Sequence, residues 1–129
     1  LPEDIKSLRK EVFVLEQGIK EELEFDELDK TSIHLGLYLN ELLIGTIRLV
    51  ELDSNLCKIG RFVVKKEYRK LGFGRLIVDY ILQNTNYKKY LVHAQFDKTK
   101  FYEKCGFEKM GDSFMEDGIK HIKMTLNRG

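Results

Sequence analysis

The 129-residue sequence is poor in proline and cysteine and contains no tryptophan. A single Pro excludes a Pro-rich linker, and two Cys are too few for a disulfide-stabilised scaffold. We expect Cys57 and Cys105 to be free, buried and structural, since Cys105 falls at a predicted helix end, where the dipole disfavours a thiolate. No apolar run reaches the roughly 18 residues of a membrane span, and the start lacks the apolar segment of a signal peptide. These absences predict a cytoplasmic protein without a membrane partner.

Charge of one sign is also lacking, because 22 basic and 21 acidic residues leave a net charge of +1. The basic pairs 65–66, 69–70 and 88–89 have acidic counterparts elsewhere and no aromatic platforms between them, so no nucleic-acid partner is expected. The three histidines lack the i, i+4 spacing and the paired cysteine of a zinc site, and we expect no metal. With membrane, nucleic-acid and metal partners not expected, the remaining class of function is the binding or conversion of a small molecule.

Apolar periodicity predicts alternating helices and strands in one α/β or α+β domain covering residues 1–129. The stretch 21–29 is acidic and predicts a loop with a helical turn. Ile5, Leu8, Val12 and Leu15 form the expected buried stripe of the first helix. Helices are predicted over roughly 2–16, over 73–84 and from a cap at Asp97 through Cys105, and Gly106 ends the last one. Strands are predicted over 33–39, 43–52, 57–64, 90–94, 107–115 and 119–126, with hairpin turns at Asn40-Glu41 and Asp117-Gly118.

The segment that indicates function is Arg69-Lys70-Leu71-Gly72-Phe73-Gly74-Arg75, between a predicted strand and a predicted helix. Two glycines spaced by one residue let successive backbone N–H groups point into one concavity, and the helix dipole favours an anion there. Arg69, Lys70 and Arg75 add positive charge, so a pyrophosphate is the expected ligand. A dinucleotide fingerprint would need a small residue where Ile77 stands, and a P-loop would need Lys and Ser/Thr after its second glycine.

The pattern Arg-x-x-Gly-x-Gly after a strand resembles the coenzyme A loop of the GNAT superfamily of N-acetyltransferases. A second segment, Phe101-Tyr102-Glu103-Lys104-Cys105-Gly106-Phe107, resembles the aromatic-Tyr-x-x-x-Gly-Phe motif of many acetyltransferases. The stretches 9–17, 26–29 and 118–121 resemble the small bacterial ElaA/YjcF-like branch. The resemblance implies the GNAT acyl-CoA N-acyltransferase fold, a mixed central sheet flanked by helices. Family members usually begin with a strand before the first helix, and here that strand is expected to be missing.

The resemblance also implies roles for individual residues. The backbone of Phe62, Val63 and Val64 would bond the pantetheine arm, and the loop 69–75 would hold the pyrophosphate. Tyr102 would protonate the leaving thiolate, since an ordinary tyrosine keeps its proton at neutral pH. Gln95 is an imperfect match to an Asn that contacts the coenzyme arm, and Lys104 is expected at the phosphate end of the ligand.

An acceptor amine must lose a proton before it attacks a thioester, so a base or a water chain is required. His121 is the first candidate for this base, and His93 and Glu51 are alternatives. The acidic stretch 21–29 could draw a cationic amine to the cleft, although a solvated loop is the favoured interpretation.

The expected activity is an N-acetyltransferase that moves the acetyl group of acetyl-CoA to a primary amine of an unidentified small molecule or peptide. The alternative is a non-catalytic acyl-CoA-binding or regulatory module. Homodimers are common among such enzymes, although the sequence shows no self-complementary patch.

Overall fold

A six-stranded mixed sheet forms the centre of the protein in a computed structural model that describes residues 1–129. The strand order is β1-β2-β3-β4-β6-β5, and only the β3–β4 pair is parallel. The strands are β1 (Ile33–Leu39), β2 (Leu42–Asp53), β3 (Leu56–Val64), β4 (Lys89–Gln95), β5 (Glu108–Glu116) and β6 (Ile119–Asn127). The α-helices are α1 (Glu3–Arg9), α2 (Glu21–Glu24), α3 (Phe73–Asn84) and α4 (Thr99–Lys104). A π-helical segment (Lys10–Glu16) follows α1, and 3-10 turns cover Glu27–Lys30, Lys66–Tyr68 and Phe96–Lys98.

The predicted strands and both hairpins are confirmed. Every strand lies within a residue or two of its predicted bounds. At both hairpin turns, Asn40-Glu41 and Asp117-Gly118, the two central residues have positive φ, as a two-residue turn between twisted strands requires. The second turn fixes the pairing of β5 with β6, which sets Phe114 opposite His121.

The first helix differs from the prediction in its second half. Residues 10–16 form a π-helix, with a hydrogen bond from the Gln17 N–H to the Val12 carbonyl. The wider turn changes which side chains face the sheet. Phe13 is buried, whereas Leu15 is 73% exposed, so the prediction of Leu15 in the buried stripe is wrong.

Apolar side chains cover the two faces of the sheet unequally. On one face α1 packs against Leu43 and Val63 near the β2–β3 end. On the opposite face α3 and α4 pack over the centre of the sheet in a larger cluster. The buried side chains of α3 are Ile77, Val78 and Ile81, each worth roughly 1.5 to 3 kcal/mol of burial free energy. Leu76 and Tyr80 of the same helix are exposed. No helix is long and apolar enough to cross a membrane.

The last helix begins later than predicted. Asp97 lies in the 3-10 turn before α4, and no side chain caps the helix at Lys98, so the predicted cap at Asp97 is wrong. The predicted stop at Gly106 is confirmed, because its φ of 102° is left-handed and the Phe107 N–H bonds back to the Tyr102 carbonyl. Both cysteines are free and buried.

Candidate active site

A wedge between β3 and β4 opens the middle of the sheet. The two strands pair from Leu56 opposite Lys89 to Ile59 opposite Val92, and the pairing ends there. Arg61, with φ of 48°, lies at an irregularity in the β2–β3 pairing, which bends the end of β3. The wedge leads into a cavity of about 560 Å³, which is the size of a small-molecule site.

The end of β3 offers backbone groups to this cavity. Phe62, Val63 and Val64 line it, and beyond Ile59 their outer edge has no strand to pair with. The Val64 carbonyl accepts a hydrogen bond from Arg69 Nε at 2.8 Å. The other outward N–H and C=O groups of this edge are free to bond the amide groups of a ligand.

The glycine loop forms a row of backbone donors at the start of α3. From Lys70 to Arg75, no backbone N–H donates to a carbonyl or a side chain of the protein, and the first bond of the helix runs from the Leu76 N–H to the Gly72 carbonyl. Lys70 (φ 63°) and Gly72 (φ 91°) are both left-handed, which turns neighbouring N–H groups toward one side. A Cβ added at Gly72 would meet nothing within 4 Å. The loop therefore has the geometry of an anion cradle at a helix N-terminus.

The charged side chains around the cradle differ in their freedom. Arg69 is held by Glu16 through two hydrogen bonds of 2.6 and 2.8 Å, and this pair lowers the pKa of Glu16. Arg75 is paired with Asp79 at 3.0 Å. Lys70 lines the cavity, and its ammonium has no carboxylate partner.

Three of the predicted cofactor residues do not line the cavity. Leu71 is 65% exposed, and the Phe73 ring contacts the Tyr68 ring edge-on. Lys104 is exposed and lies outside the lining, whereas Lys98, which sequence analysis missed, is part of it. Gly74 does line the cavity, and an added Cβ there would lie 3.3 Å from the Phe101 ring.

Tyr102 reaches the wedge from α4. Its ring packs against Phe62, Phe101 and Phe107 at centroid distances of 6.5, 5.2 and 5.7 Å. The residue is 6% exposed and lines the cavity, and its hydroxyl makes no hydrogen bond to the protein. Burial raises the pKa of Tyr102 well above its ordinary value, so the hydroxyl stays protonated and available as a donor.

Two histidines converge on one carboxylate across β4, β5 and β6. His93 Nδ1 lies 3.0 Å from Glu116 Oε1, and His121 Nε2 lies 3.8 Å from Glu116 Oε2. His121 Nδ1 lies 2.7 Å from the Ile119 carbonyl, which can only accept, so Nδ1 carries a proton. In the neutral ring Nε2 is then an acceptor that faces the carboxylate. Two facing acceptors without a hydrogen atom between them form a place for a donor such as an ammonium group.

The remaining predicted polar residues are engaged elsewhere. The Gln95 side chain lines the cavity but exchanges hydrogen bonds with Gln17, at 2.8 and 3.3 Å. Glu51 lies outside the lining and accepts a hydrogen bond from the Tyr87 hydroxyl at 2.7 Å. Of the three candidate bases, the structure therefore brings His121 and His93 to the cavity and leaves Glu51 away from it.

Half of the acidic stretch 21–29 is solvated, as favoured from sequence, because Glu21, Glu22 and Glu27 are exposed, whereas its other carboxylates are held by arginines. Arg9 is 1% exposed and binds Glu24 at 2.7 Å and Asp29 at 2.8 Å. Burial of Glu24 outweighs its arginine contacts and raises its pKa. Burial also acts to raise the pKa of Asp29, but hydrogen bonds and charge from Arg9 and Arg48 outweigh it and hold that pKa below its ordinary value.

Two more arginines connect this stretch to the sheet. Arg48 of β2 binds Asp26 at 2.7 Å and Asp29 at 3.2 Å through Nη1. Arg61 of β3 binds Asp26 at 3.1 Å and the Glu24 carbonyl at 3.0 Å. Three arginines thus neutralise Glu24, Asp26 and Asp29 beside the cavity.

Comparison with known proteins matches the acetyltransferase (GNAT) domain over residues 2–128. The uncharacterised N-acetyltransferase YjcF of Bacillus subtilis is 31% identical over 121 residues, which is 91% of this chain and 86% of YjcF. The crystal structure of Escherichia coli ElaA superposes with a TM-score of 0.85 and 26% identity, covering 96% of this chain and 88% of ElaA. An acyl-CoA N-acyltransferase structure from Pseudomonas aeruginosa superposes with a TM-score of 0.84 and 27% identity, covering 98% of this chain and 92% of its own.

These matches extend over the whole sheet, the wedge and the glycine loop. They confirm the resemblance drawn from the two sequence motifs and the fold that it implies. The chain belongs to the GNAT family, in the branch that includes ElaA and YjcF, and is an acyltransferase.

Proposed function

We propose that the chain transfers the acetyl group of acetyl-CoA to a primary amine of a small molecule or peptide. The observation that carries this proposal is the row of unpaired N–H groups from Lys70 to Arg75, beside a cavity that Tyr102 and His121 also line. The acyl-CoA N-acyltransferase named above shares this fold at 27% identity, which supports an acyl-CoA as the donor.

The pyrophosphate of the coenzyme would bind to the N–H groups of 70–75. The positive end of the α3 dipole favours negative charge there, and Lys70 and Lys98 supply charge without a competing carboxylate. Arg69 would contribute only by exchanging Glu16 for a phosphate oxygen. The free edge of β3 at Phe62–Val64 would hold the amide groups of the pantetheine arm.

Acetyl-CoA supplies an activated acetyl group as a thioester, and the protein supplies proton transfer. An ammonium group between Glu116 and His121 could donate to both, after which His121 Nε2 takes one proton and frees the nitrogen lone pair. Glu116 stabilises the imidazolium that forms, and His93 orients Glu116 by its hydrogen bond at 3.0 Å. Tyr102 donates its hydroxyl proton at the sulfur end of the wedge.

Direct measurement of acetyl transfer tests this function. The chain is incubated with acetyl-CoA and a panel of primary amines, and both thiol release and the mass of one added acetyl group are followed. Acetylated amine formed by the wild type and lost in His121→Gln supports the proposal. Binding of acetyl-CoA without transfer to any amine would contradict it and favour the non-catalytic acyl-CoA-binding module.

The cytoplasmic location and the homodimer stay predictions.

A further inference from the structure

Lys58 is a cation of the cavity without a partner. It lies in the middle of β3, opposite Val50 of β2 and Leu91 of β4, and its side chain lines the cavity. No carboxylate lies within ion-pair distance of its ammonium, and no side chain or carbonyl accepts from it. Burial, with repulsion from Arg48 and Arg61, lowers the pKa of Lys58, although Glu116 acts in the opposite direction. Its ammonium is therefore open to an anionic ligand group in the cavity.

The neighbouring Arg48 also has an N–H group that makes no hydrogen bond. Its Nη1 is held by Asp26 and Asp29, whereas its Nε is buried and has no acceptor. Arg48 lies opposite Gly60 and is therefore a diagonal neighbour of Lys58 on the same face of the sheet, roughly 7 to 8 Å away. The network of three arginines and three carboxylates is balanced, so it cannot neutralise Lys58.

The opposite charge lies further along the same face. The strand register puts Lys58, His93 and His121 on one face, and Glu116 stands beside the two histidines. The rest of a molecule whose amine binds at Glu116 would therefore share a face of the sheet with the unpaired ammonium of Lys58. Lys58 would repel a second ammonium group of a polyamine. A zwitterion would instead place its ammonium at Glu116 and its anionic group at Lys58.

We propose that the acceptor amine also carries an anionic group, a carboxylate as in an amino acid or a phosphate, and that Lys58 binds this group. The proposal rests on the acetyl transfer proposed above for its place in the reaction. It narrows the acceptors to amino acids, amino phosphates and related zwitterions.

Calorimetric titration with matched pairs tests the proposal. Each standard α-amino acid is compared with its decarboxylated amine, and phosphoethanolamine with ethanolamine, both with and without coenzyme A present. The wild type should bind at least one anion-bearing member about tenfold or more tightly than its partner. The pair that shows the difference distinguishes a carboxylate from a phosphate.

Lys58→Met should abolish this difference, and Lys58→Arg should retain most of it. The Met variant should fold with an unchanged or higher melting temperature, since it removes an unpaired and partly buried charge. Lys123→Met is the matched control, because Lys123 is exposed on the same face opposite His93 but lies outside the cavity. It should keep the difference.

Equal binding of both members in every pair, or binding of neither, would overturn the proposal, as would an unchanged difference in Lys58→Met. A separate titration with acetyl-CoA alone tests the donor. If acetyl-CoA does not bind but the wild type still prefers the anion-bearing amines, the proposed transfer is wrong and the anion site at Lys58 is retained.

Discussion

The proposed mechanism gives Tyr102 and His121 different roles because their surroundings differ. Tyr102 is enclosed by three aromatic rings, and its burial keeps the phenol neutral. His121 has one ring nitrogen bound to a carbonyl and the other facing Glu116. A hydroxyl that holds its proton and a ring nitrogen that can accept one therefore line the same cavity, as the proposed transfer to an amine requires.

Tyr102→Phe is expected to lower kcat by about 100-fold, since the ring is preserved and only the proton donor is lost. The melting-temperature rise caused by acetyl-CoA should remain, because the cradle at 70–75 is untouched. Steady-state thiol release and thermal unfolding measure the two effects. Tyr80→Phe, on the exposed side of α3, is the control and should match the wild type. A Tyr102→Phe variant with full kcat would remove the tyrosine from the mechanism.

Glu116→Gln is expected to lower kcat about tenfold, because the imidazolium at His121 loses its neighbouring negative charge. Steady-state thiol release at saturating acetyl-CoA and amine measures the loss. Glu108→Gln changes an exposed carboxylate of the same strand and should keep the wild-type kcat. A kcat that is identical in wild type and Glu116→Gln would contradict the proposed proton path.

At the scale of elements, the network of Arg9, Arg48 and Arg61 fixes the acidic segment against the sheet. The segment between the π-helix and β1 has few buried apolar side chains, and its position depends on these ion pairs. Removing one partner of a buried pair leaves an uncompensated charge, which costs more than the pair contributes. The network thus acts as the structural support of one cavity wall.

Asp29→Asn is expected to lower the free energy of unfolding by about 3 kcal/mol at pH 7. The folded pKa of Asp29 is lowered, so its contribution is complete above its unfolded pKa, about 3.9, and is lost as the pH falls through the folded value. The difference between variant and wild type should therefore shrink below about pH 4. Urea unfolding across this range measures it.

Glu27→Gln is the matched control for that series. Glu27 is exposed and pairs only with Lys30 on the surface, so the substitution should change the unfolding free energy by less than about 0.5 kcal/mol. A pH-independent difference between wild type and Asp29→Asn would show that the carboxylate charge is not what the network uses.

The strands and hairpins could be predicted from the sequence because local signals set them. Period-two alternation gave β1, and the Asp-Gly pair gave the last turn together with its register. The π-helix could not be predicted, because the apolar spacing at 5, 8, 12 and 15 suits an ordinary α-helix and only contact with the sheet selects Phe13 instead of Leu15. Contact with the sheet likewise decides which side of α3 is buried, and it leaves Leu76 and Tyr80 exposed.

The site could be predicted from the sequence only where its residues are adjacent in the chain. The glycine loop is continuous and was found as a unit, whereas the roles of Lys58 and the Arg9 network depend on residues brought together across strands. The position of Glu116 could have been predicted, because a two-residue turn at Asp117-Gly118 sets residue 114 opposite residue 121. Residue 116 then lies on the same face as residue 114. The pairing of Arg69 with Glu16 had no signal in the sequence.

At the scale of the whole molecule, the wedge connects two unlike surfaces. One face carries α3, α4 and the anion cradle, and the other carries Lys58, Glu116 and the histidines. Two substrates can therefore approach from opposite sides and meet where β3 and β4 separate. Acyl transfer in this account depends first on whether the cradle holds a coenzyme.

Thermal unfolding with and without acetyl-CoA tests that claim most directly, in the wild type and in Gly72→Asp. Ligand at a hundredfold excess over its dissociation constant should add about 2.7 kcal/mol, or roughly 10 °C of melting temperature for a chain of this length. Gly72→Asp has room for its side chain but sets a carboxylate in the cradle, so it should fold and lose the rise. Gly111→Asp carries the same charge at another left-handed glycine with open space and should keep it. A wild type that gains no stability, or a Gly72→Asp variant that gains as much as Gly111→Asp, would contradict the account.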